Sequence, residues 1–228
     1  MEFKSFEAKI GVTFKNQQLL ETAFTHRSYL NENRRNGAEH NERLEFLGDA
    51  VLELVVTEFL YKKYPEKPEG ELTALRAALV NTVSIADAAT KLGMNEYLLL
   101  SRGEAKDTGR ARGIILANAF EAVIGAIYLD QGYKPAYDFI DAQLFHKTDE
   151  VVEKKLWQDA KSKLQEIAQE RLAVTPTYEL VNQTGPDHDK IFVVAAYLGR
   201  EKTALGEGRS KQEAEQDAAQ KALVAKGW

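Results

Sequence analysis

The feature that most limits what this chain can fold into is a change of hydrophobic periodicity near residue 150. Before it, apolar residues such as Leu44, Leu47, Val51 and Val55 recur at the three- and four-residue spacing of helices. After it, a helical pattern gives way to three short β-rich runs and then to a second helical pattern. We therefore predict an all-α domain followed by a small α+β domain, whose order is α-β-β-β-α, with a three-stranded antiparallel sheet and two helices on one face.

Turn residues and composition set the predicted boundaries. The helical domain covers residues 1–147, a charged linker covers residues 148–157, and the α+β domain covers residues 158–228. Two prolines and a glycine end one helix between residues 62 and 70, and a polar loop is expected over residues 101–113. The predicted elements of the second domain are a helix over residues 159–172, strands over 177–183, 191–198 and 201–207, and a last helix opened by the capping-box spacing of residues 210–213.

The composition excludes some classes of function. The 228 residues include no cysteine, which excludes disulfides, thiolate metal sites and cysteine nucleophiles and fits a reducing compartment. The first residues lack the basic start and apolar run of a signal peptide, so we expect a cytoplasmic protein. The formal net charge of −5 counts against nucleic-acid binding, because proteins that bind nucleic acids are typically basic.

An apolar run over residues 114–129 has the composition of a membrane span but is short for one. It also carries Asn118 and Glu121 near its middle, and polar side chains are expensive in lipid. We predict a buried helix of a protein without a membrane partner.

Three carboxylates interrupt an apolar helical segment over residues 41–52. Glu42, Glu45 and Asp49 are three and four residues apart, so one face of a helix carries all three. Like charges on one stripe destabilise each other, above all in an apolar setting. A hard divalent cation such as Mg²⁺ removes that conflict, because it prefers oxygen ligands.

A polar pair in the apolar run repeats this arrangement. Asn118 and Glu121 are three residues apart and need polar partners, which the first acidic stripe can supply. Two facing helices would then place Glu45, Asp49, Asn118 and Glu121 around a metal ion. Such a site can generate hydroxide and stabilise the charge of a phosphodiester displacement.

A solvated helix face is the competing interpretation of acidic residues at helical spacing. Spacing alone leaves the two interpretations about equally supported. We assign Glu53 and Glu58 to a solvated face.

Four segments, in matching order, resemble sequences of the ribonuclease III family. The segment NERLEFLGDAVL over residues 41–52 is similar to the signature motif of that family, and ILANAFEA over residues 115–122 is similar to its second catalytic segment. Residues 25–29 and 68–73 also resemble family sequence, and the α-β-β-β-α tail resembles a double-stranded-RNA-binding domain. The resemblance therefore covers nearly the whole chain.

The resemblance implies an endonuclease domain that cleaves double-stranded RNA as a homodimer in which the signature helices pack together. Each subunit would contribute one metal site and cut one strand, leaving a 5′-phosphate and a short 3′ overhang. Such cleavage serves ribosomal and messenger RNA processing. The implied cofactor is Mg²⁺, with Mn²⁺ as a substitute.

The same resemblance assigns roles to individual residues. Asp49 and Glu121 match catalytic acids, and together with Glu45 and Asn118 they match the metal-site positions. Glu42 matches a signature acid that serves substrate handling or the dimer interface.

Asn118 departs from the family pattern, which usually has Asp at this position. Asn retains a carbonyl oxygen that can ligate a metal but loses one negative charge. Three interpretations remain: a natural variant that still cleaves RNA, a natural binder that has lost cleavage, and an engineered inactive form. We favour the first, because Glu45, Asp49 and Glu121 are all retained.

The tail has candidate residues for each contact that duplex RNA offers. Gln165 and Glu166 match family positions that reach 2′-hydroxyls and base edges, and His188 lies in a Gly-Pro loop that resembles one entering a second minor groove. Arg209 and Lys211, at the start of the last helix, suit phosphates.

Three functions are therefore considered. The first is a double-strand-specific endoribonuclease, and the second is a duplex-RNA-binding protein without cleavage, which Asn118 alone supports. A metal-dependent hydrolase of another phosphate substrate fits the acidic helices but leaves the tail unexplained.

Overall fold

The computed structural model describes residues 3–33, 38–106, 108–153, 159–186 and 190–228. The chain divides into two compact units, Met1–Trp157 and Gln158–Trp228. In the described residues the first unit is helical, and the second contains a three-stranded sheet with helices. The predicted all-α domain followed by a small α+β domain is therefore confirmed.

Helices account for most of the first unit. Within the described residues they are α1 (Lys4–Ile10), α2 (Gln17–Phe24), α3 (Arg27–Glu32), α4 (Glu42–Lys63), α5 (Glu69–Val80), α6 (Thr82–Lys91), α7 (Arg102–Lys106), α8 (Arg110–Gln131), α9 (Tyr133–Leu144) and α10 (Thr148–Glu153), with 3₁₀ turns at Met94–Glu96 and Phe145–Lys147.

Helix α4 is fixed at its start by a buried asparagine. The Asn41 side chain donates a hydrogen bond to the carbonyl oxygen of Ala23 (3.3 Å), and the Asn41 carbonyl accepts from the Glu45 amide (2.8 Å). Acids lie in the first turn of α4 and two lysines in its last turn, which matches the helix dipole. The entry of α4 is thus held against the end of α2.

Helix α8 forms the centre of the core of the first unit. All residues from Ile115 to Ile127 are buried except Asn118 and Glu121, which are half-buried. Within the described residues, Ala111–Gln131 is long and apolar enough to cross a membrane, but 61% of its apolar window is buried inside the protein. The predicted buried helix is confirmed, and the lack of a membrane partner stays a prediction.

Three local expectations differ from the structure. Helix α5 begins at Glu69, inside the segment predicted to break helices, because Pro68 and Gly70 fall at its N-terminal end, where backbone N–H groups need no intrahelical partner. The predicted loop over residues 101–113 contains α7 and the first turn of α8. The predicted linker begins as α10, whose Val151 and Val152 pack against the core of the first unit.

The second unit consists of α11 (Ala160–Leu172), β1 (Pro176–Thr184), β2 (Ile191–Leu198), β3 (Glu201–Gly208) and α12 (Lys211–Lys226). The strands pair antiparallel in the order β1-β2-β3. Helix α12 lies so close to β3 that a Cβ at Gly206 would be 2.1 Å from the amide nitrogen of Ala218. Four alanines of this helix, Ala214, Ala218, Ala219 and Ala222, are buried and make that approach feasible.

Candidate active site

Helices α4 and α8 meet through their backbones at two glycines. A Cβ atom added to Gly48 would lie 1.7 Å from the carbonyl oxygen of Glu121, and one added to Gly125 would lie 2.3 Å from the carbonyl oxygen of Leu44. Real Cβ atoms do not approach other atoms so closely, so only glycine fits at either position. The two helices that carry the predicted site residues are therefore in direct backbone contact.

This contact brings the acids of the two helices together. Burial raises the pKa of Glu121 to about 7, and the charges of Asp49, Glu45 and Glu53 add to the rise. A carboxylate on α8 thus lies within electrostatic reach of three carboxylates on α4. Asn118 is one helical turn before Glu121 and is half-buried.

Glu45 shares this environment. Burial, followed by the charges of Glu42 and Asp49, raises the pKa of its carboxyl group. Glu45 is half-buried and Asp49 is exposed, so the cluster reaches solvent at Asp49. Among the described residues no cation pairs with the carboxylates of Glu45, Asp49 or Glu121.

The oxygen donors of this cluster meet only part of what a metal ion requires. As the side chains are oriented, no three Asp, Glu or His groups of the described ranges converge closely enough to hold a metal. The chemistry nevertheless fits a hard divalent cation, because unpaired carboxylates and one amide oxygen are its preferred ligands. Burial is the largest cause of the raised pKa of Glu121, and the charges of Asp49 and Glu45 add repulsion that a cation would relieve.

Glu42 has different partners from the other acids of α4. Its carboxylate lies 3.6 Å from Nη1 of Arg27 and 3.8 Å from Nδ1 of His40. The charge of Glu42 nevertheless helps to raise the pKa of Glu45. The role in substrate handling or the dimer interface that is expected for Glu42 stays a prediction.

Glu53 is a neighbour of the cluster that the sequence analysis missed. It is half-buried and forms an ion pair with Arg76 of α5 (2.7 Å) instead of lying on a solvated face. The signal for its involvement is the four-residue step from Asp49, which continues the acidic stripe by one turn. Glu58, also assigned to a solvated face, bonds to Lys62 and Tyr133.

An exposed phenylalanine marks a second feature of α4. Phe46 is 80% exposed, although large apolar side chains are normally covered. It borders a groove of about 810 Å³, lined among others by Leu19, Leu47 and Leu129.

Two of the predicted RNA-contacting residues of the second unit lie on α11. Gln165 and Glu166 are exposed on α11, where they line a depression of about 500 Å³ with Ser162, Gln169 and Glu170. His188 lies outside the described residues.

Arg209 and Lys211 flank the N-terminal cap of α12, and both are exposed. The Ser210 hydroxyl accepts from the Glu213 amide (3.1 Å), while the Glu213 carboxylate accepts from the Arg209 amide (2.8 Å). These bonds fix the start of the helix at which both cations are presented.

Comparisons with known proteins agree with this organisation. The family described as Ribonuclease-III-like matches residues 16–148, and the double-stranded RNA binding motif matches residues 160–224. Ribonuclease 3 of Geobacillus kaustophilus is 48% identical over 222 residues, which cover 97% of this chain and 90% of that protein. Ribonuclease 3 of Bacillus velezensis is 46% identical over 223 residues, which cover 98% of this chain and 89% of that protein.

A solved structure matches the helical part. The nuclease domain of ribonuclease III from Campylobacter jejuni is 40% identical, with a TM-score of 0.56, and the match covers 62% of this chain and 98% of that one. Its description refers to structural flexibility in a region involved in dimer formation.

Proposed function

Because the chain belongs to the ribonuclease III family of endoribonucleases and carries a double-stranded-RNA-binding domain, we propose that it hydrolyses phosphodiester bonds of double-stranded RNA with a divalent metal ion. The products carry a 5′-phosphate and a short 3′ overhang, and the reaction serves ribosomal and messenger RNA processing in the cytoplasm. The observation that carries the proposal is the approach of Glu45 and Asp49 to Glu121 across the glycine contact of α4 and α8.

Mg²⁺ is the proposed cofactor, and Mn²⁺ is a substitute. Glu45, Asp49 and Glu121 would hold the ion, with the carbonyl oxygen of Asn118 as a neutral fourth ligand. When bound, such an ion supplies a nucleophile at neutral pH and positive charge for a phosphodiester displacement. Asp49 and Glu121 are the proposed catalytic acids.

Asn118 is proposed to weaken the site without disabling it. Its amide keeps an oxygen donor, and the three acids around it are retained. Deamidation to Asp is disfavoured, because Asn118 lies inside α8 and precedes the fully buried Ala119. The alternative function is a duplex-RNA-binding protein without cleavage, and the loss of one metal-site charge at Asn118 is the observation that favours it.

We propose that the active form is a homodimer assembled through α4. Phe46 and the groove beside it, which leucines and polar residues such as Arg43 line, offer a self-complementary surface, because two copies related by a twofold axis can exchange this side chain. The related C. jejuni nuclease domain has a region involved in dimer formation, which supports a dimer but does not identify its surface. Glu42, near this surface, would help to handle substrate or to form the interface.

The second unit is proposed to bind the RNA duplex through its minor groove and phosphates. Gln165 and Glu166 would contact 2′-hydroxyls and base edges, and His188 would enter a second minor groove. Arg209 and Lys211 would contact phosphates near the N-terminus of α12.

Cleavage of a long RNA duplex in Mg²⁺ tests the proposal, with this chain compared to Asn118→Asp and Glu121→Gln. Duplex binding is measured alongside in Ca²⁺. Cleavage by this chain and its loss in Glu121→Gln support the enzyme. Cleavage by Asn118→Asp alone, with binding by all three proteins, supports the non-cleaving binder. Failure of all three to bind and to cleave overturns the proposal.

A further inference from the structure

A cation is fixed beside the end of the acidic stripe of α4. Arg76 on α5 places its Nε 2.7 Å from a carboxylate oxygen of Glu53, and its Nη1 donates to the Thr57 hydroxyl at 2.9 Å. Glu53 and Thr57 are four residues apart on α4, so they form one turn of the same helix face. Two contacts from one turn restrain the plane of the guanidinium, which a single ion pair does not.

The position of this pair relative to the candidate site follows from the helix. Glu45, Asp49 and Glu53 succeed one another at four-residue steps, and Arg76 pairs with the last of them. The charge of Glu53 acts on Glu121, although less than burial and the other two acids do. Arg76 therefore contacts Glu53, and the charge of Glu53 in turn acts on Glu121, one of the carboxylates that would hold the metal.

An ordinary surface ion pair is the simplest interpretation of this contact, and such pairs contribute little to stability. Two features go beyond it. The guanidinium has five N–H donors, and the contacts with α4 use two of its nitrogens, leaving donors on a side chain that is 34% exposed. In addition, RNA phosphates approaching a cluster of carboxylates meet repulsion, which a restrained cation at its edge offsets.

We propose that Arg76 is a substrate-contacting residue that binds a phosphate of the RNA duplex next to the carboxylate site, with Glu53 and Thr57 as positioning residues. This inference rests on the proposed function, because it requires duplex RNA at the α4–α8 site. Guanidinium groups suit the task, since they bind phosphate oxygens in a fixed planar geometry. Such a contact positions the strand without reading its sequence.

The experiment measures binding of the full chain to a long, fully paired RNA duplex in Ca²⁺ over a series of salt concentrations. Each phosphate contact contributes about 0.9 to the slope of log K against log salt concentration in duplex DNA, and a similar value applies to another duplex polyanion. We expect Arg76→Gln to reduce this slope by about one. Arg76→Lys should keep most of it, because the charge remains.

Two controls separate contact from charge and from stability. Lys91→Gln removes one cation from another ion pair of the same unit, with Asp87 (3.0 Å), and should leave the slope unchanged. Glu53→Gln breaks the same ion pair as Arg76→Gln but keeps the cation. It should weaken duplex binding, because Arg76 loses one positioning contact, yet reduce the slope less than Arg76→Gln does, while the unfolding free energy falls alike in both.

Three outcomes contradict the inference. An unchanged slope in Arg76→Gln, with duplex binding by the parent chain intact, overturns the Arg76 contact and leaves the proposed function standing. An equal change in Arg76→Gln and Lys91→Gln also overturns it, because the effect is then one of net charge. Absence of duplex binding by the parent chain overturns both proposals.

Discussion

Gly48 and Glu121 are in backbone contact, because the space where Gly48 would carry a Cβ is occupied by the Glu121 carbonyl oxygen. This contact connects fold and site. The side chains of Glu45 and Asp49 flank Gly48 on α4, so the glycine sets how closely they approach the acid on α8. Burial raises the pKa of Glu121 most, and the charges of Asp49 and Glu45 raise it further.

Gly48→Ala should destabilise the first unit. The added methyl group forces α4 and α8 apart, and overpacking of this kind lowers the unfolding free energy by about 1–3 kcal/mol. Gly113→Ala is the matched control, because it lies on α8 with nothing within 4 Å of an added Cβ. That change should be neutral or raise stability by up to about 1 kcal/mol. Urea denaturation of both variants checks the difference, and equal stabilities would contradict the close contact.

Metal-free protein should lose stability as pH rises from about 4.5 to about 7. The folded state holds the Glu121 proton in this range and the unfolded state does not, so the unfolded state binds fewer protons and stability falls with pH. The loss should be about 1–2 kcal/mol after discounting for solvent screening of a partly exposed group. Glu121→Gln should flatten this part of the profile.

Chemical denaturation in EDTA at several pH values measures the effect. Asp49→Asn offers a second test, because removing a charge that raises the pKa of Glu121 should also diminish the slope. A stability profile of the parent chain that is already flat, and that Glu121→Gln leaves unchanged, would show that the pKa of Glu121 is not raised in the folded state.

Asn118→Asp should tighten metal binding. A fourth carboxylate adds one negative charge to the ligand set, and we expect about a tenfold gain in affinity for Mn²⁺. Without metal, the same change should lower stability, because it adds a like charge beside Glu121. Calorimetric titration with Mn²⁺ and denaturation in EDTA give the two readings. Unchanged Mn²⁺ affinity would place position 118 outside the metal site.

Phe46→Glu should convert a dimer into a monomer. A charge at the centre of an apolar interface loses the buried contact and leaves an unpaired carboxylate there. Val83→Glu is the control, since Val83 on α6 is equally exposed at 80% but does not line the groove beside Phe46. Light scattering after gel filtration distinguishes the two, and a parent chain that is already monomeric would refute the proposed assembly.

The sequence was sufficient for the elements that carry the site. Local spacing predicts the acidic stripe of α4 and the polar pair of α8, because both depend on helical periodicity within a few residues. The backbone contact is different. Gly48 sits in a helical pattern like any tolerated glycine, and nothing nearby in sequence marks Gly125, 77 residues later, as its counterpart.

The ion pair of Glu53 escaped prediction for a related reason. Its partner Arg76 lies on another helix, so the periodicity of α4 alone makes Glu53 look solvated. Helix α5 begins inside the segment that is predicted to interrupt helices, because proline and glycine interrupt helix interiors but are tolerated at a helix N-terminus. In each case a partner distant in sequence, or the position within an element, decided the outcome.

Because α4 and α8 touch at Gly48 and Gly125, the residues that set their packing are different from the residues that carry the charges. Acid-to-amide changes at Glu45, Asp49 or Glu121 alter charge while leaving the interhelical packing intact, whereas a larger residue at Gly48 or Gly125 alters packing while leaving every charge in place. A lineage can therefore adjust the chemistry of the cluster one residue at a time on an unchanged scaffold. Asn118 is an example of a substitution that such a scaffold tolerates, since α8 runs through it without interruption.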